Sequence, residues 1–534
     1  MKPASAWRFV CEINELLPNA GVAALIDGRQ IAIFRIEDQV YALDNYDPNS
    51  NANVLARGLI GDLQGEPVVA SPVYKHHFSL ASGRCLEDAS QSVRVYPARV
   101  SEGRIWVKGE PVRKIARIRK LVVIGNGMAG MKVVEQLLEL APNDYEVTVF
   151  GAEPHPNYNR ILLSPVLAGE KSIADIILNP LEWYCEKGVA LHLGDPIVAI
   201  DRKRRVIRSR NGVEATYDRL LLATGSKPIA LPIPGADLPG VATFRDLQDV
   251  DAMLAATRSH KKAVVIGGGL LGLEAANGLM KQGMDVTVVH IFDTLMERQL
   301  DRVAGALLKE SLEKRGLRFR MAAKTVAIFA TAPFPLPQVE GQCESQRARV
   351  AGVRFDDGSE LEADLVVMAA GIRPNIDLAR AAGLRCDRGV LVNDTMQTFD
   401  PCVYAVGECV QHRNSTYGLV APLFEQANVC ATHLAEFGIG QYKGSLVSTQ
   451  LKVTGVDLFS AGDFVGGPRS ESLVFRDAKR GVYKRVVIED NKVRGAVLYG
   501  DVKDGPWYFE LMNEGRDIGA LRDKLLFGAA FAKQ

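Results

Sequence analysis

Two apolar runs, each followed by three glycines and then by a helical period, dominate the hydrophobic pattern of this chain. Leu121–Ile124 reads as a buried strand, Gly125, Gly127 and Gly130 follow as G-x-G-x-x-G, Met131–Leu140 has a helical pattern, and Glu146–Phe150 reads as a second strand. The order recurs at Ala263–Glu274 (AVVIGGGLLGLE), with Gly267, Gly269 and Gly272, followed by a strand at Asp285–Val289. Three more apolar strands end in small residues: within LLLATGSKP (220–228), LVVMAAGIRPN (365–375) and TFDPCVYAVGE (398–408). The ends of the chain read differently. Before residue 112, short strand-like runs at Val22–Ile26, Gln30–Arg35, Val40–Leu43, Val68–Ser71, Val93–Val100 and Arg104–Val107 are separated by turns such as Asp27-Gly28 and Ser82-Gly83. That spacing predicts an all-β sandwich or barrel. Residues 445–534 add strands at Leu451–Val453 and Val482–Ile488 and a helical tail containing LRDKLLFG, a small α+β domain.

Composition changes this picture little. With 534 residues the chain is too long for one core. A hydrophobic fraction of 47% and a charged fraction of 24% suit a globular protein. The net charge, 64 − 63 = +1, argues against nucleic acid or an acidic membrane as partner. No apolar run approaches the roughly 18–20 residues that span a bilayer, and MKPASAWRFVCEINE has no signal-type apolar core. A cytoplasmic protein is the expectation. Eight cysteines stand without C-x-x-C spacing, which predicts reduced thiols and no cysteine-bound metal.

The glycine loops carry the chemistry. The first glycine permits the tight turn, the second lets the backbone approach a pyrophosphate, and the third lets the helix pack on the strand. The helix N-terminus then favours the phosphate charge. Glu153, just past the first unit's second strand, is placed to accept hydrogen bonds from a ribose. Arg160 is a candidate bidentate partner for the pyrophosphate. In the second unit His290 stands where NAD sites have an acid and NADP sites a cation, with Arg298 eight residues further on, so NADH and NADPH both remain open. Two nucleotide folds in one chain imply two nucleotides and electron passage between them.

Together, five ordered motifs in residues 119–440 resemble the FAD/NAD(P) pyridine nucleotide-disulfide reductase superfamily. The resemblance implies two interleaved Rossmann-like α/β domains, FAD on 119–240 with 371–444 and NAD(P)H on 241–370, preceded by the all-β domain 1–112 and followed by 445–534. It makes Ala223, Thr224 and Gly225 a backbone approach to the nucleotide. Gly371 in G-I-R-P-N marks the return to the flavin unit. Gly407 and Glu408 become the second flavin motif, with Glu where the family usually has Asp. Tyr417–Gln426 should start the helix facing the flavin pyrimidine edge. Glu274 is implied near the nicotinamide, as the catalytic-site residue. No cysteine occupies NYNRILLSPVLAGE, where disulfide reductases carry their redox thiols.

More closely, NYNRILLSPVLAGE, TLMERQLD (294–301) and YAVGEC resemble the flavin portion of the assimilatory nitrite reductase large subunit, and residues 6–108 resemble its Rieske-like small subunit. Asn45, Tyr46, Asp47, Ser71 and Tyr74 stand at the cluster-ligand loops, and His76 and His77 read as solvated, so no [2Fe–2S] centre is expected. The sequence shows no sirohaem or other metal ligands, so nitrite reduction by this chain alone is not expected. What the resemblance implies is an electron-transfer flavoprotein. It would pass electrons from NAD(P)H through FAD to a nitrate or nitrite reductase catalytic subunit, or to a small iron–sulfur carrier such as rubredoxin or ferredoxin. The C-terminal domain leaves room for a homodimer or carrier docking. The alternatives are a redox-sensing scaffold and an oxygen-reducing oxidase, the latter disfavoured by the missing flavin-side cysteine.

Overall fold

The computed structural model describes residues 7–63, 65–88, 91–111, 118–330, 348–436, 440–446, 448–453 and 455–532. Residues 109–118, a basic Pro-containing stretch that reads as a linker, and 329–349, a polar Pro-containing stretch that reads as an inserted hairpin loop, fall largely outside these. By internal packing the chain divides into two compact units, Met1–Leu121 with Val134–Glu146 and Asn428–Gln441, and Val122–Val133 with Val147–Ala427 and Tyr442–Gln534.

The N-terminal region is built of short antiparallel sheets. Ala20–Ile26, Arg29–Ile36, Gln39–Asp44 and Val95–Tyr96 form one, and Trp7–Glu12, Arg104–Lys108 and Ala98–Ser101 another. A third, Leu59–Leu63, Glu66–Ala70 and His77–Ser79, includes two strands that the apolar pattern did not flag. Side chains alternate faces along a strand, and Arg29–Ile36 uses both: Ile31 and Ile33 enter one core, Ala32 and Phe34 the other.

The first nucleotide-type sheet is ordered Ala190–His192, Tyr145–Phe150, Arg119–Ile124, Arg219–Leu222, Val403–Ala405. The helix Met128–Leu140 begins directly after Gly127, three residues earlier than the helical period suggests. The second sheet is parallel, ordered Val241–Thr243, Leu365–Met368, Lys262–Ile266, Asp285–Val289, Arg318–Arg320. Its three inner strands, Leu365–Met368, Lys262–Ile266 and Asp285–Val289, are mostly apolar and buried on both sides, as the middle of a parallel sheet requires. Val403–Ala405 completes the first sheet only after the second has been built, so the two are interleaved. The crossings are tied together where Ser226–Pro228 pairs antiparallel with Ile372–Pro374.

Residues Ser448–Asp477 and Val482–Tyr499 form a five-stranded antiparallel sheet, and the helix Gly505–Glu514 packs Tyr508 and Leu511 on one face with Phe459, Val486 and Leu498. The other face, through Leu458, Tyr483, Val497 and Tyr499, joins the core of the second nucleotide sheet with Leu308 and Leu312. Tyr483 donates to Asp301 Oδ2 at 2.6 Å. Both faces of this sheet are therefore used within the chain. The LRDKLLFG tail is a 3-10 helix, Gly519–Phe527. Among the described residues no helix is long and apolar enough to cross a membrane.

Candidate functional site

At the first loop, Gly125 has φ +115°, and its N–H donates to Phe150 O at 2.8 Å. A Cβ there would lie 2.1 Å from Ala223 O, and one on Gly130 would lie 2.8 Å from Ala223 Cβ. A Cβ on Gly127, between them, would meet nothing within 4 Å. Two glycines are thus forced by the neighbouring strand, and the middle one faces open space at a helix N-terminus, which is what a pyrophosphate cradle requires. The second loop repeats this. Gly267 (φ +129°) would put a Cβ 2.2 Å from Ala369 O, Gly272 would put one 2.0 Å from Gly267 O, and Gly269, capping the helix Leu270–Lys281, is open.

Ala223 N–H donates to Ile124 O at 2.8 Å, and Gly225 has φ +63°. Thr224 Oγ1 donates to Asn375 O at 2.7 Å, and Asn375 N–H donates to Gly225 O at 2.9 Å. The A-T-G turn is thereby knitted to the return strand behind Gly371, whose φ is +110° and whose carbonyl accepts from Ile229 N–H at 2.9 Å. Gly407 (φ +91°) donates its N–H to the buried Gln426 Oε1 at 2.9 Å, on the helix Val420–Leu434.

The acidic candidates are engaged by cations of this chain. Glu153 Oε1 pairs with Arg160 Nη2 at 2.5 Å, and Glu153 Oε2 accepts from Tyr158 at 2.7 Å. Arg160 Nη1 also donates to Arg245 O at 2.6 Å. Burial opposes the Arg160 charge, but Tyr158 and Glu153 outweigh it and hold its pKa above the ordinary value. Glu408 pairs with Arg245 and accepts from Ser226 Oγ at 2.8 Å. Two ion pairs, Glu153–Arg160 and Arg245–Glu408, linked through the Arg245 carbonyl, therefore join the two flavin-type motifs. Arg245, Tyr158 and Ser226 were not flagged by the sequence reading. Arg245 lies in a stretch that reads only as a connection, and only the Asp246 helix cap marks it.

Glu274, just past the first turn of the helix Leu270–Lys281, faces Ser164 in the helix Leu163–Leu167. Burial pushes its carboxyl up to about 7, with a hydrogen bond from Ser164 pulling the other way. It joins the helix after the second glycine loop to the segment 157–170, which contains no cysteine. His290 is buried beneath the second loop, and its Nδ1 accepts from Gly268 N–H at 3.1 Å.

The profile of the pyridine nucleotide-disulphide oxidoreductase family matches residues 119–433. The chain belongs to this family. As a member it is an oxidoreductase that uses FAD and NAD(P)H, and the open middle glycines, Gly127 and Gly269, fit one dinucleotide at each loop. Profiles of the Rieske-like [2Fe-2S] domain and of the rubredoxin NAD+ reductase C-terminal domain match residues 6–108 and 448–516. The chain is 48% identical over 400 residues to a nitrite reductase [NAD(P)H] of Bacillus subtilis (strain 168), covering 75% of this chain and 48% of that one. It is 43% identical over 408 residues to the assimilatory nitrate reductase electron transfer subunit of the same organism, covering 76% and 51%. The chain thus spans about half the length of these curated relatives. A covalent putidaredoxin reductase–putidaredoxin complex shares the fold, with a TM-score of 0.67, 24% identity and coverage of 75% of this chain and 94% of that one.

The Rieske-like loops do not fit an iron–sulfur cluster. Asp47 and Ser71 are fully buried, and Ser71 Oγ donates to Asp47 Oδ2 at 2.5 Å. Asp47 also accepts from Ser50 Oγ at 2.8 Å and from Asn49 N–H at 2.9 Å. Asn45 accepts from Ala56 N–H. A hydrogen-bonded clasp thus joins the loops at the positions of the ligands. His76 and His77 are half-buried rather than solvated, and His77 pairs with Glu87. Removing a buried acceptor with three donors is costly, so Asp47→Ala is expected to destabilise the protein by about 2–4 kcal/mol. Urea unfolding followed by tryptophan fluorescence checks this, since Trp7 and Trp106 lie in the same domain.

Proposed function

We propose that this chain is the flavoprotein that takes electrons from NAD(P)H and passes them to the catalytic subunit of an assimilatory nitrate or nitrite reductase. The observation that carries the reading is the pair of open glycine cradles, joined by Glu274 and Ser164 across the segment that has no redox thiol. A thiol relay has no place there, so electrons leave by another route. Bound FAD supplies the conversion of a two-electron hydride donor into an electron source for a metal centre. The protein's own residues bind and orient. Gly125, Gly127 and Gly130 with Arg160 and Glu153 hold the flavin nucleotide, and Ala223, Thr224 and Gly225 line its inner end together with Gly371, Gly407 and Glu408. Gly267, Gly269 and Gly272 hold the nicotinamide nucleotide, with Glu274 beside the reacting ring.

The resemblance to an electron transfer subunit, at 43% identity, supports the acceptor class. The domain boundaries of the sequence reading, the cytoplasmic setting and a homodimer belong to this same proposal. The test is anaerobic titration of the purified, flavin-loaded protein with NADH and with NADPH, followed by addition of a nitrate or nitrite reductase catalytic subunit. Bleaching of the flavin bands and their recovery on adding the catalytic subunit are expected. Bleaching with recovery only on adding rubredoxin or ferredoxin would move the chain to a carrier-reductase role. A flavin reduced by neither nucleotide would sink the reading.

A further inference from the structure

The strand Asp285–Val289 ends without the acid that NAD sites use to hold the ribose hydroxyls; His290 follows it, and its ring contacts Glu297. Gly268, within the second glycine loop, is pinned on both sides. Its N–H donates to His290 Nδ1 at 3.1 Å, and its carbonyl accepts from Met296 N–H at 3.1 Å. Met296 adopts the left-handed conformation (φ +53°), which folds the segment after the strand back onto the loop. The imidazole packs so closely that a Cβ on Gly268 would lie 2.8 Å from His290 Cγ. Because Nδ1 accepts, the ring's proton lies on Nε2, which is 3.1 Å from Glu297 Oε2. The imidazole side chain is 7% exposed and the carboxylate 31%. Glu297 Oε1 has no hydrogen-bond partner among the described residues.

We propose that Glu297, positioned by His290, is the group that reads the adenosine ribose of the nicotinamide nucleotide and selects NADH. The proposal rests on the reading that the second glycine loop binds that nucleotide. The free carboxylate oxygen accepts from the 2′-hydroxyl, and its charge repels a 2′-phosphate. Arg320, one strand over, is committed to Asp357 at 2.8 Å and stacks on Phe355, and Arg302 pairs with Asp293 at 3.1 Å. Arg298 is exposed and adjoins Glu297 in the chain, so it is the cation to test against it.

The experiment is calorimetric titration of the flavin-loaded full-length protein with NAD+ and NADP+, with reduction by NADH and NADPH followed in parallel. The wild type is expected to bind NAD+ at least about tenfold more tightly than NADP+, from like-charge repulsion. Glu297→Gln should bring the two within about threefold, and Glu297→Arg should invert the order. His290→Ala should lose part of the discrimination with flavin content unchanged, while Arg298→Ala keeps it. Tighter binding of NADP+ by the wild type would overturn the assignment, as would a preference unchanged in Glu297→Gln. Discrimination in binding without flavin reduction would support the assignment and sink the electron-transfer reading instead.

Discussion

A Gly125→Ala protein is expected to be purified without flavin, and with a large loss of stability. The added Cβ would sit 2.1 Å from Ala223 O and 2.7 Å from its carbonyl carbon. Both atoms are backbone, just past the end of the inner strand Arg219–Leu222, so no side-chain rotation relieves the clash. The backbone at φ +115° also excludes an ordinary L residue. Strain and overpacking of this kind cost about 3 kcal/mol or more, a large part of the 5–15 kcal/mol by which domains are stable. Gly127→Ala separates fold from ligand. Its Cβ meets no atom within 4 Å, so the flavin-free protein should melt within about 2 °C of wild type. Because the open space is where a pyrophosphate would approach, its flavin affinity should fall about tenfold or more. Thermal melting and visible flavin absorbance per polypeptide check both variants. Equal flavin content in Gly127→Ala and wild type would show that the first loop does not cradle a phosphate.

Glu274→Gln is expected to change how stability and flavin reduction respond to pH. The carboxyl is raised from 4.5 to about 7, with burial the leading cause. Between these values the folded protein holds a proton that the unfolded chain has released. The folded state is therefore favoured at low pH, and stability falls as pH rises from the unfolded value through about 7. A glutamine stays neutral throughout, so the variant loses this slope. It should be more stable than wild type at pH above 7, by about 1–3 kcal/mol, and indistinguishable from it at low pH. Urea unfolding across the pH range, on protein free of nicotinamide nucleotide, is the measurement. Flavin reduction by NADH should show a transition near pH 7 in wild type that the variant lacks. Parallel stability slopes in the two proteins would place the carboxylate in water rather than against Ser164.

The glycine loops were legible because their constraints are local. A strand, a turn with positive φ and a helix start are written within about fifteen residues, and Gly125, Gly130, Gly267 and Gly272 are each forced by a close backbone or side-chain approach. Interleaving was also legible, because the motifs come in order. The helix Met128–Leu140 starts earlier than its period suggests because the open glycine loop, rather than a polar cap, begins it.

The ion pairs could not be read in this way. Arg245 and Glu408 are separated by 163 positions, and Arg485 and Asp301 by 184. Charge pairing over such distances depends on which loops the sheets bring together, and the apolar pattern does not encode it. His290 illustrates the difference. Its position at the strand end was visible, but that it turns under Gly268 and meets the half-buried Glu297 depends on the Met296 turn. The C-terminal sheet is a second case. Its alternating residues predict two faces, and tertiary packing decides that one of them closes on Leu308 and Leu312. By itself, then, the sequence determined the two strand–glycine loop–helix units and the loops of the Rieske-like domain that lack cysteine, because each depends on residue type at short spacing. Tertiary structure decided which charges meet and which strand face is covered, because those depend on proximity between segments far apart in the chain.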